Sequence, residues 1–163
     1  MKPSVYIETT IPSYYVAHES RNIIQLARQQ LTKEWWDTRR DNYALFTSQV
    51  VLEEISDGDE RMARDRILLI EALPLLDVDE SVEELAQELL DRRIIPVKAT
   101  RDALHIAVSA VQKMDYLLTW NCKHIANPHI QNRIRACFSA HAVDIPVICT
   151  PEEFIGDEDT ATY

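Results

Sequence analysis

Val5-Tyr6-Ile7-Glu8-Thr9-Thr10-Ile11-Pro12 is the stretch on which the reading of this chain turns. Three apolar residues in a row, rich in β-branched and aromatic side chains, predict a short strand buried in a sheet. The run then stops on a carboxylate, followed by two threonines and a proline. A buried strand that delivers an acid at its carboxyl end places a charge at the rim of a sheet. That rim is where functional groups gather when the sheet is parallel.

Beyond this segment, strand-like and helix-like stretches alternate. Ile24, Ala27, Leu31 and Trp35 recur at helical spacing and predict a long amphipathic helix over 20–40. Further strands are expected over 43–47, 75–78 and 116–119, with an edge strand over 146–149. Helices are expected over 50–55, 61–72, 100–113 and 130–140. Ser81 and Glu84 have capping-box spacing ahead of an apolar stripe (Val82, Leu85, Ala86, Leu89) that runs to about 93. Thr100 is a candidate cap for the helix that follows it. Alternating elements imply an α/β fold with a mostly parallel sheet covered on both faces. Residues 1–155 are expected to form a single domain, and the acidic, apolar-poor tail 156–163 to be mobile.

The 163 residues are 46% hydrophobic, enough for a sizeable core without disulfides. A net charge of −10 disfavours binding of nucleic acid or anionic membrane by the whole surface, and leaves room for a local basic patch. Three scattered cysteines without a CxxC pair fit reduced thiols in the cytoplasm. No apolar run approaches the roughly 18 residues of a membrane span, and no signal peptide is expected.

Only two glycines occur, Gly58 and Gly156, which excludes the Gly-rich phosphate loops. HExxH and GxSxG are absent as well. What remains are acids at element ends: Glu8 after the first strand, Glu53 and Glu54 after the second, and Asp102 at a helix start, with Asn121 after the fourth strand. Each has an ordinary structural reading, as a dipole-stabilised or solvated acid or a turn residue. Together, oxygen ligands at one end of a sheet suit a hard dication, Mg²⁺ or Mn²⁺, and such ions support in-line attack on a phosphodiester. His105 lies three residues after Asp102; a supporting or surface role is its commoner use, zinc ligation the rarer. Tyr14, Tyr15, Trp35 and Trp36 suit base stacking or, more commonly, packing. Trp35 and Trp36 point about 100° apart on a helix. One of them is therefore expected on an exposed apolar patch, which favours a homodimer.

The segments VYIETTIPSYY, SQVVLEEI, RDALHIA and YLLTWNCKHIAN, in that order, resemble the PIN-domain nucleases, in particular the VapC-like toxins. The resemblance implies a three-layer α/β/α sandwich and an Mg²⁺- or Mn²⁺-dependent endoribonuclease of a type II toxin–antitoxin system, with RNA as substrate and a cognate antitoxin protein as partner. It assigns the metal-binding and catalytic positions to Glu8, Glu54, Asp102 and Asn121, with Glu53 solvated. Glu8 stands where the family usually has the shorter Asp, and Asn121 supplies a neutral oxygen where many members have Asp. Thr9 and Thr119 would orient carboxylates or water, and Arg101, Lys123 and His124 would meet the RNA backbone. Two other readings stay open. One is a PIN-like module that binds RNA or protein without cutting, which the departures at positions 8 and 121 favour. The other is a receiver-like phospho-acceptor domain, which the lack of a Lys after the last strand disfavours.

Overall fold

The computed structural model describes residues 1–155. The expected tail from Gly156 lies outside the described residues. Five strands form one parallel sheet: β1 (Ser4–Ile7), β2 (Ala44–Ser48), β3 (Leu75–Leu76), β4 (Tyr116–Leu118) and β5 (Val147–Cys149). Their order in space is β3-β2-β1-β4-β5. The α/β class is therefore as the alternation implied. The order reverses direction between β1 and β4, which is the switch point where doubly wound sheets hold their sites.

Among the described residues eight α-helices accompany the sheet: α1 (Thr10–Val16), α2 (Ile23–Thr38), α3 (Gln49–Ile55), α4 (Glu60–Ile70), α5 (Glu80–Asp91), α6 (Thr100–Val111), α7 (Pro128–Ser139) and α8 (Pro151–Ile155). α2 packs against α1 and α8, and α1 reaches α4. α5 packs against α6 and α7. Val5, Tyr6 and Ile7 are fully buried, as the uninterrupted apolar run required. No helix among the described residues is long and apolar enough to cross a membrane.

Three details differ from the sequence expectations. α1 and α8 had no periodic signal, being only 7 and 5 residues long. The capping box at Ser81 is displaced: Asp79 is the N-cap, its Oδ1 accepting from the Val82 amide at 3.0 Å and the Ser81 hydroxyl at 2.6 Å. Thr100 does not cap α6 either; its hydroxyl donates backwards to the Val97 carbonyl.

Both tryptophans of α2 are buried, against the expectation that one would be exposed. Trp35 stacks on Phe154 of α8, and Trp36 meets Tyr15 of α1, with the Arg40 guanidinium over its ring. Two short helices flank α2 and cover both directions. Ahead of the tryptophans the helix departs from the expected pattern. Ile23 and Ile24 are exposed, while Gln29 and Thr32 are buried.

Candidate active site

The site begins where β1 ends. Glu8 is 2% exposed, and its Oε2 accepts three hydrogen bonds: from the Thr10 amide (3.0 Å), the Thr10 hydroxyl (2.5 Å) and the Thr119 hydroxyl (2.7 Å). Thr119 follows β4, so Glu8 spans the switch point. Thr10 Oγ1 in turn accepts from the Trp120 amide at 2.8 Å, and Thr119 Oγ1 from the Asn121 amide at 2.9 Å. Burial raises the Glu8 carboxyl above the ordinary range; His105 and the two threonines pull against that without reversing it.

Glu54 comes from α3. Its Oε1 accepts from Thr9 Oγ1 at 2.9 Å and from His105 Nε2. Partial burial alone would raise this carboxyl, but the hydrogen bond and charge of His105, then Thr9, bring it below the usual carboxylate range. Glu53, its neighbour, is exposed. Asp102, in the first turn of α6, takes a 2.9 Å contact from His124 Nδ1.

Glu54 and Asp102 share a cleft of about 570 Å³ with Lys98, Thr100, Arg101 and His124. Glu8 does not line it. Arg101 also pairs with Asp57 at 3.1 Å, while Lys123 is exposed. Asn121 holds its own turn together, with its Oδ1 accepting from the His124 amide at 3.0 Å and its carbonyl from the Ala126 amide at 2.8 Å.

A model of the PIN domain matches residues 5–121. The chain belongs to the PIN-domain family. The match begins at Val5 in the first strand and ends on Asn121. No curated protein matches this PIN-domain chain. Among solved structures it is similar to a chain in the crystal structure of VapBC2 from Rickettsia felis bound to a DNA fragment from their promoter. That likeness covers 90% of this chain and 98% of the other, at 12% identity and a TM-score of 0.51, and it speaks to the fold.

The donor set of this PIN domain fits a hard dication in kind: carboxylates of Glu8, Glu54 and Asp102, and the amide oxygen of Asn121. The arrangement is not a preformed cage. Among the described residues no three His, Cys, Asp or Glu side chains are grouped closely enough to hold a metal ion. Each acid is instead satisfied by a hydroxyl, an amide or an imidazole of the protein.

The supporting role read for His105 is what its contacts show, but sequence reasoning did not link it to Tyr6, Ser48 or Glu54. His105 is fully buried and touches Glu54, and Tyr6 and Ser48 stand behind it. A polar His flanked by Ala103, Ile106 and Ala107 on one helix was the available signal, because a buried imidazole needs partners. Lys98, in the short 3₁₀ turn before α6, was also passed over.

Proposed function

We propose that this chain is an endoribonuclease, a VapC-like toxin of a type II toxin–antitoxin pair, hydrolysing RNA phosphodiester bonds. The observation that carries the reading is the shared cleft. Two carboxylates, Glu54 and Asp102, open into the same space as Lys98, Arg101 and His124, in a PIN domain. A phosphate needs the cations to bind and the acids to direct attack on it. Glu54, held in its charged form, is suited to orient the attacking water. Lys98 and Arg101 supply local positive charge on a chain of net charge −10. Mg²⁺ or Mn²⁺ is the proposed cofactor, with Glu8, Glu54, Asp102 and Asn121 as candidate ligands; when bound, such an ion neutralises developing phosphate charge.

A cognate antitoxin is the proposed protein partner, in keeping with the VapBC2 structure similar to this chain. A homodimer is proposed on different ground from the tryptophans, namely the exposed Ile23 and Ile24. A cytoplasmic location is proposed with them.

The test is cleavage of a mixed RNA pool by the purified protein with Mg²⁺ or Mn²⁺. EDTA, Glu54→Gln and Asp102→Asn should each reduce cleavage by about a hundredfold or more. A second reading, a binding module without nuclease activity, is favoured by the internal partner that every acid already has. RNA retained by the protein yet left intact under both metals would select that reading.

A further inference from the structure

We propose that Ser48, Tyr6 and His105 form a buried hydrogen-bonded chain that positions Glu54, fixing its Oε1 and leaving Oε2 as the oxygen that acts in the cleft. The proposal rests on the nuclease reading above and deepens it by naming residues that act through Glu54.

The chain is continuous. Tyr6 Oη lies 2.7 Å from Ser48 Oγ and 2.8 Å from His105 Nδ1. His105 Nε2 contacts Glu54 Oε1, and Thr9 Oγ1 reaches the same oxygen at 2.9 Å. Tyr6, Ser48 and His105 are all fully buried, so none of them exchanges these partners with water. Four elements contribute. Tyr6 lies in β1, Ser48 ends β2, Glu54 is on α3, and His105 sits on α6 one turn after Asp102.

The direction at Glu54 follows from chemistry. An ionised carboxylate only accepts, so Thr9 and His105 Nε2 both donate to it. The proton on Nε2 is required whether the ring is neutral or charged. Nδ1 then accepts from the Tyr6 hydroxyl in the first case and donates to it in the second. Ser48 completes the chain either way, because a hydroxyl can take either role. Among the described residues no hydrogen bond uses Glu54 Oε2.

Three buried polar groups bring no gain in core packing over apolar groups of similar shape, which could fill the same space without desolvation. What the polar chain adds is an orientation. It holds a side chain with three rotatable bonds in one pose at the edge of the cleft. Tyr6 and His105 are thus positioning residues.

Three variants and one spectroscopic measurement on the full chain test this. His105→Gln keeps an N–H donor at the place of Nε2. His105→Asn puts its amide near the place of Nδ1, within reach of Tyr6 and short of Glu54. Tyr6→Phe keeps the core volume and removes the hydroxyl. With RNA and Mn²⁺, the Asn variant should lose about tenfold or more in kcat at unchanged KM. The Gln variant should retain most of it at a similar Tm, and Tyr6→Phe should fall between. In ¹⁵N spectra of the wild type, His105 should carry its proton on Nε2. A bare Nε2 overturns the proposal, as do Gln and Asn variants of equal kcat. If the wild type cleaves and those variants do so equally, the positioning role falls and the nuclease reading stands. If the wild type cleaves no RNA, the nuclease reading falls and takes this role with it.

Discussion

Glu8 answers the question its strand raises through its neighbours. Three donors meet on one oxygen of a carboxylate that burial disfavours, and two of the three come from Thr10, two residues on. Thr10 is the acid's local solvation, and Thr119 completes it from β4. Asn121 has a comparable local logic. Its side chain closes the turn after β4, a role the residue type suits whatever the chemistry nearby. Asn121→Ala should therefore destabilise the protein by about 1 kcal/mol, the usual cost of a lost side-chain cap. Asn121→Asp keeps an accepting oxygen and should melt close to the wild type. Thermal melts of both variants in EDTA check this; an Ala variant as stable as the wild type would show that the cap is idle.

Among the elements, α5 shows how spacing alone misplaces a cap, while Asp79, an acid flanking a strand and so a natural turn or capping residue, is the one that caps. Ser81 and Glu84 match the motif, yet the chain turns two residues earlier and Asp79 takes the amide. Hydrogen bonds from the Ser81 hydroxyl and then the Val82 amide lower the Asp79 carboxyl below its ordinary value. A depressed acid stabilises the fold above its unfolded pKa, and that contribution disappears as pH falls through the lower, folded value. Asp79→Ala should thus lower Tm by roughly 3 °C at pH 7. The gap should narrow below about pH 4, where the unfolded aspartate takes up its proton. A gap that stays constant from pH 7 to pH 3 would remove the carboxylate from the explanation.

For the molecule as a whole, the proposed homodimer sets surface charge against exposed apolar groups. Two copies of net charge −10 repel. At physiological salt that repulsion is screened over about 8 Å, while contact between apolar groups is not. Ile23 and Ile24 at the start of α2 edge a groove of about 770 Å³ that also includes Leu31, Trp120 and Ile148. Light scattering should give a dimeric mass that strengthens between low and moderate salt and is lost in Ile24→Glu. A monomer at every salt concentration, at tens of micromolar protein, would contradict it.

Five strands, most helices and the parallel class were legible in the sequence, because apolar period and strand–helix alternation are local signals. The acids at strand ends were legible for the same reason. The fold decided what each acid touches. Thr119 reaches Glu8 from 111 residues away, and His105 reaches Glu54 across 51. No spacing rule spans such separations. The burial of both Trp35 and Trp36 was likewise decided by α1 and α8, elements too short for a periodic signal, the second arriving from the far end of the described chain. Local pattern determines which residues stand at the rim of the sheet. Only close packing of remote segments determines which of them meet, since hydrogen bonding acts over about 3 Å and takes no account of sequence distance.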